Sequence, residues 1–401
     1  MTQLGNKKSG SIVTDIIYIL LLIIMAAGLT EFFHRQAIRY HDKYISDLIV
    51  YAQDIGGTEK SRMIAWIYTR LNEVDSSYYA LSAFTSLLVV ATVVAGYFFL
   101  RFLLERYHCH FERWKIQFAS FLILLSGPIY IPTIHEHFYS GTWPKYAWHS
   151  PTEIAMVLFA IISLHLFIKL FDGYMEHIDF GTWIGLTIAV FLSVWAKPNF
   201  MLAFTPVVIV VLLVELVRNR EYGFLHRFGH VVAFGCTMIP AGLFVLFLNR
   251  IEYDESKYDG GIAVNIGYFL KDLDYPLIAI ACSIAFPVFV FLFNWKKLKD
   301  IALAASLGVF VTGTAEYLIL VEAGSRINHG NFGWCSQVGE FLFFAVAVAV
   351  FMANLKDREF LKSLPVLKAL YLIAAGLLLA AHVLSQLVYV YLLMKGYLYR
   401  M

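Results

Sequence analysis

The 401 residues are 60% hydrophobic, 16% aromatic and only 15% charged, where soluble proteins average roughly 25% charged and 45–50% apolar residues. With a mean hydropathy of +0.68, the chain is excluded from the soluble enzymes and reads as an all-α polytopic membrane protein, a single transmembrane domain over 1–401. The net charge of +2 names no acidic partner, and nucleic acid is not expected. Cys109, Cys236, Cys282 and Cys335 are scattered without metal spacing, two of them inside apolar runs, so neither a disulfide framework nor a zinc site is indicated.

Taken in order, the chain opens on a short basic segment with Lys7 and Lys8 before a long apolar run. No small-residue cleavage site follows, so the run reads as a retained first span. A transmembrane helix needs about 20 mostly apolar residues, which gives about eleven spans. They fall near 12–32, 79–104, 116–133, 153–171, 180–196, 199–217, 229–249, 275–294, 301–321, 337–353 and 366–394. With the N-terminus cytoplasmic, the inner segments hold just over half of the 31 Lys and Arg residues, as the positive-inside rule requires, and the C-terminus lies outside.

The outer segments carry the chemistry. The first, 31–78, is an extracytoplasmic loop with two amphipathic patterns: Tyr44, Ile45, Leu48, Ile49, Ala52 and Ile55 share one face, as do Met63, Ile64, Ile67, Tyr68 and Leu71. Gly56-Gly57 separates them. These predict interfacial helices. The second carries His135, Glu136, His137, Trp143, Lys145, Trp148, His149 and Glu153. Ser150 reads as an N-cap, with Pro151 at the first helical position and Thr152 and Glu153 in the first turn. Trp148 and His149 then sit at the positive end of a helix, a place that favours phosphate; an ordinary helix start with an interfacial Trp fits the same residues. His135 and His137, two apart, point away from each other on a helix and make a poor metal pair.

The turn Trp195-Ala-Lys197-Pro198-Asn199-Phe200 leaves almost no loop between two spans. Lys197 there either snorkels to the interface or faces an anionic headgroup, and Pro198 frees backbone groups. The acidic segment with Glu252, Asp254, Glu255, Asp259, Asp272 and Asp274 reads as a solvated loop, with a lid or a divalent-ion site as the alternative. Glu322, Arg326, Asn328, His329, Asn331 and Trp334 crowd the last outer segment, with Glu316 within two turns inside the span. An ionisable residue at that depth is a functional hypothesis by default. No Walker loop, Rossmann fingerprint or nucleophile elbow is present.

Trp148-His-Ser-Pro-Thr152 resembles the W-H-N-P-T signature of a group of uncharacterised bacterial polytopic proteins found with surface-polysaccharide genes, with Ser150 where Asn is usual. Ala196-Lys-Pro-Asn-Phe200 resembles their second signature. Glu322-Ala-Gly-Ser-Arg326, with His329-Gly-Asn-Phe332 and Trp334, resembles their third, and the likeness covers roughly 130–340. More loosely, the architecture is similar to the GT-C glycosyltransferases, which take sugars from polyprenyl-phosphate donors on the outer face. That resemblance implies an acidic general base just after span one, the place of Glu31, which is followed by His34 and Arg35; no Asp-x-Asp pair stands there.

The expectation is therefore a transferase in the bacterial plasma membrane, with its site facing the periplasm or exterior. It moves a sugar from a polyprenyl-phosphate donor to a lipid-linked glycan or surface polysaccharide, without an obligatory cofactor but with a divalent cation conceivable. Glu31 and Glu322 are the candidate bases. Trp148, His149, Glu153, Lys197, Asn199, Glu316, Arg326, His329, Asn331 and Trp334 are the candidate contacts to sugar and phosphate. Rival readings are a repeat-unit polymerase for O-antigen or capsule, a transporter or lipid-linked glycan flippase, and a membrane scaffold.

Overall fold

The computed structural model describes residues 2–39, 46–53, 63–133, 148–252, 261–272, 275–324, 327–328, 330–360 and 362–395. Among the described residues the chain forms α1 (Thr2–Ile38), α2 (Asp47–Ala52), α3 (Met63–Val74), α4 (Tyr79–Arg106), α5 (Arg113–Leu124), α6 (Pro151–Phe171) and α7 (Phe180–Ala196). There follow α8 (Asn199–Arg218), α9 (Phe224–Gly235), α10 (Ile239–Glu252), α11 (Pro276–Phe293), α12 (Ile301–Ile319), α13 (Gly333–Lys356) and α14 (Pro365–Lys395). Among the described residues, eight helical stretches are long and apolar enough to cross a membrane, and α7 and Leu277–Phe293 are shorter apolar helices. The protein is thus an all-α polytopic membrane protein. Its exposed surface fits a lipid solvent, with Ile12, Ile16, Ile23 and Ile24 on α1 and Leu377 and Leu384 on α14 turned outward.

Helix α13 is the axis of the bundle. From Cys335 to Asn354 every residue is buried, and α12, α11, α8, α4 and α6 pack around it. Small residues permit this. A Cβ on Gly313 of α12 would stand 2.3 Å from the Cys335 carbonyl oxygen, and one on Gly339 would stand 2.6 Å from the Phe310 Cα. Close backbone approach at small residues is how helices associate where lipid removes the hydrophobic drive.

Several elements depart from the sequence pattern for local reasons. Helix α1 runs on to Ile38 rather than ending before Glu31, because no Pro interrupts it and Glu31 pairs with Arg35 one turn on at 2.6 Å. The expected span 116–133 is helical only to Leu124; Gly127-Pro128 and Pro132 then keep the chain out of the helix. A 3₁₀ turn, Cys236–Met238, separates α9 from α10 just before Pro240, whose ring cannot pack beneath a regular α-turn. One small element was not foreseen: β1 (Ile262–Val264) pairs antiparallel with β2 (Leu320–Glu322), Ile262 opposite Glu322. In the 31–78 region, Leu48, Ile49, Ala52, Met63, Ile64 and Tyr68 are buried as their spacing predicts. They face the protein: α2 packs on α3, and α3 on α4 and α6.

The interhelical contacts sort into two ends. At one, the Asp47 N–H donates to the His149 carbonyl at 3.0 Å, Phe32 meets Trp148 edge-on and Lys197 meets Glu153. At the other, Arg106 bridges Asp172 and Asp300, Arg113 pairs with Asp15 and Lys297 donates to Asn354.

Candidate functional site

Three segments far apart in sequence meet at the first end: 148–153, 197–199 and 316–335. Each delivers a helix N-terminus or a residue beside one. Ser150 takes the extended N-cap conformation (φ −110°, ψ 101°) and Pro151 opens α6. Its hydroxyl lies 3.3 Å from that of Thr152, which in turn lies 3.4 Å from the Tyr51 hydroxyl of α2. Lys197 ends α7 in extended backbone (φ −165°, ψ 130°), and Pro198 starts α8 one residue later. The proline therefore does locally what its chemistry dictates: it stops one helix and seeds the next.

Glu153, in the first turn of α6, is fully buried. Its Oε2 lies 3.9 Å from the Lys197 ammonium, beyond hydrogen-bond length, and neither carboxylate oxygen has a hydrogen-bond partner. The same ammonium stands 3.7 Å from the centroid of the Trp334 ring, a cation–π contact. The His149 ring is 6.0 Å from Trp334. Burial holds the His149 imidazole below its ordinary value of 6.5; Asp47 opposes this and Lys197 adds to it. His149 is thus neutral at pH 7 and offers a donor and an acceptor rather than a positive charge.

A second strand of contacts runs from α8 to the last segment. Asn199 donates its amide to the Asn331 carbonyl at 2.8 Å and lies 3.2 Å from the Cys335 sulfur. The Asn331 amide donates to Glu322 Oε2 at 2.8 Å, and Glu322 is buried at the end of β2. Glu316, in the last turn of α12, hydrogen-bonds Cys335, while its Oε2 has no hydrogen-bond partner. Trp148, His149, Glu153, Lys197, Asn199, Glu316, Glu322, Asn331 and Trp334 are thereby linked at one end of the bundle. Arg326 and His329 lie outside the described residues, as do His135, Glu136, His137, Trp143, Lys145, Asp254, Glu255, Asp259 and Asp274.

Glu31 stands apart from this group. It is half-exposed and paired with Arg35 on the α1 face opposite Phe32, Phe33 and Gln36, which are buried. His34 stacks on Tyr79 and bonds the Ser77 carbonyl. No set of three His, Cys, Asp or Glu side chains gathers as a metal site among the described residues.

Chemically, the group joins three helix N-termini (α6, α8 and α13) and one ammonium to three buried or half-buried carboxylates. The first kind of element favours a phosphate; a carboxylate accepts protons or hydroxyl hydrogens. Two buried residues escaped the sequence reading. Glu340 lies 1% exposed in the middle of α13, and His382 is fully buried in α14. The rule that singled out Glu316, an ionisable group inside a span, finds both. Compared with known proteins, the chain matches no protein-family model and no curated protein sequence.

Proposed function

We propose that the protein is a membrane glycosyltransferase that takes a sugar from a polyprenyl-phosphate donor and passes it to a lipid-linked glycan or surface polysaccharide. The observation that carries the reading is the meeting of three helix N-termini and Lys197 with Glu153, Glu316 and Glu322 at one end. The transfer needs both kinds of group. The attacking hydroxyl must lose a proton to a carboxylate within hydrogen-bond reach, and the departing phosphate must meet fixed dipoles and a cation. Glu322 is the better base of the two expected carboxylates. It is buried and held by Asn331 within the cluster, whereas Glu31 is half-exposed and neutralised by Arg35. In this reading the chain makes about eleven passes, α5 and 125–133 together forming one, with the N-terminus inside and the cluster on the outer face.

Reconstituted protein supplied with labelled polyprenyl-phosphate sugars and a lipid-linked acceptor should form a new glycosidic bond, and Glu322→Gln should abolish it while Glu31→Gln does not. Laddered products would indicate a repeat-unit polymerase. A second reading, movement of a lipid-linked glycan between leaflets, draws on the non-helical stretch after α5. There the Ile129 N–H donates to the Cys282 carbonyl and the Gly127 N–H to the His382 carbonyl, irregular backbone of the kind that transporters bury. Label that changes leaflet with no bond formed would favour that reading.

A further inference from the structure

The Glu153–Lys197 pair is poorly made as a structural ion pair. Its closest atoms are 3.9 Å apart, the ammonium is spent partly on the Trp334 ring, and both carboxylate oxygens lack a hydrogen bond inside a fully buried site. A buried carboxylate left in that condition is costly. The gap itself has a useful size. A hydroxyl oxygen about 2.8 Å from both atoms closes a triangle on the 3.9 Å base, accepting from the ammonium and donating to Oε2. A second carboxylate could not enter beside Glu153 without like-charge repulsion, and an apolar group would leave the Glu153 oxygens unmet.

We propose that Glu153 and Lys197 form a hydroxyl-binding couple that holds one ring hydroxyl of the donor sugar; this rests on the transferase reading. The Lys197 ammonium, with three donors, accordingly serves the sugar hydroxyl as well as the phosphate at the helix N-termini of α8 and α13. The couple also accounts for the otherwise unused pairing of a carboxylate with the first turn of its own helix. Glu153 sits in the first turn of α6, where the helix dipole favours an acceptor, yet neither of its oxygens is closed by a hydrogen bond.

The test uses the full chain in phosphatidylcholine nanodiscs, titrated with a polyprenyl-phosphate hexose, with its singly deoxygenated analogues, and with polyprenyl phosphate bearing no sugar. One deoxy analogue should bind at least about tenfold more weakly than the parent, because sites built to bond a hydroxyl reject ligands lacking it. That penalty should vanish in the double variant Glu153→Leu/Lys197→Met, which removes both partners and leaves no unpaired charge. Equal binding of all deoxy analogues, or a penalty that survives the double variant, would overturn the couple and leave the transferase reading standing. A hexose lipid that binds no better than sugar-free polyprenyl phosphate would overturn both. Should the double variant fail to fold, the single variant Lys197→Met carries the comparison, and a deoxy penalty undiminished there would overturn the couple.

Discussion

Gly313→Ala tests whether α12 and α13 are packed as tightly as described. The added Cβ would lie 2.3 Å from the Cys335 carbonyl oxygen, 2.5 Å from its carbon and 2.9 Å from the Ser336 nitrogen. Non-bonded carbons prefer about 3.5 Å or more, so the helices must part by about 1 Å. All three obstacles are backbone atoms, which no rotamer change can move aside. Overpacking typically costs 1–3 kcal/mol, and this case belongs at about 3 kcal/mol. The matched control is Gly376→Ala in α14, where nothing lies within 4 Å of the new Cβ. There the substitution should stabilise by roughly 0.5–1 kcal/mol, the usual gain for replacing a mid-helix glycine. The same chemical change therefore acts with opposite signs at two helices, a gap of about 4 kcal/mol. Unfolding of the purified protein in mixed micelles, followed by far-ultraviolet circular dichroism as denaturing detergent is added, measures both. A Gly313→Ala protein as stable as wild type, or equal losses at the two positions, would refute the packing argument.

Other outcomes follow from single side chains. His382→Leu removes an imidazole that bonds the Gly127 carbonyl and accepts from the Phe286 N–H at 3.3 Å; two buried backbone groups lose their partner, and the same unfolding assay should show a loss of roughly 2–4 kcal/mol. Because the folded-state value of His149 is lowered, the folded protein binds its proton less readily than the unfolded chain. Its contribution is therefore fully present above pH 6.5 and is lost as pH falls through the lower folded value; His149→Gln should flatten the decline in stability below pH 6.5. Asn331→Ala removes one hydrogen bond that positions Glu322, and removes the acceptor that holds Asn199 only if the loop shifts; sugar transfer should fall by about tenfold to a hundredfold, the usual worth of positioning a base.

How much of this was legible depended on the physical scale of the signal. The spans were readable because twenty apolar residues leave little else for the chain to do, and most ends lie within a few residues of the expected ones. Where the helices depart from the expected spans, prolines explain it: Gly127-Pro128 ended α5 early, and Pro240 sits at the 3₁₀ turn between α9 and α10, which still form one stretch long enough to cross. The meeting of Glu153, Lys197 and Trp334 was not readable from spacing, since 44 and 137 residues separate Glu153 and Lys197 from their next partners along the chain; only the clustering of polar types at alternate turns between apolar runs hinted at it. Glu31 shows the opposite case. Its position after an apolar run suggested an active-site loop, but an uninterrupted helix and a partner at i+4 turned it to the surface. Glu340 and His382 were missed because apolar neighbours on both sides hide a single ionisable residue from any window average.

The distribution of satisfied and unsatisfied polar groups distinguishes the two ends of the bundle. At the end opposite the candidate site, most polar side chains form closed networks, with the Tyr174 hydroxyl and the Arg227 Nε as the exceptions. The Asn354 amide donates to Asn294 at 3.2 Å and to the Tyr371 hydroxyl at 2.9 Å, while Asn354 accepts from Lys297 at 3.2 Å. Asp300 accepts from Arg106 and Tyr107 and also caps α12 through the Ala302 and Leu303 N–H groups. Such saturation is what structure alone requires. At the candidate end, Glu153 and Glu316 retain carboxylate oxygens without hydrogen bonds. Unmet acceptors in a buried place persist when they serve something besides the fold. Gln337 and Gln386 each keep one unbonded polar atom deeper in the bundle, which is why leaflet movement must be measured beside bond formation. Gln386→Leu should impair movement if the bundle is a path, and leave transfer intact if the chemistry is confined to the end where Glu153, Lys197 and Glu322 meet.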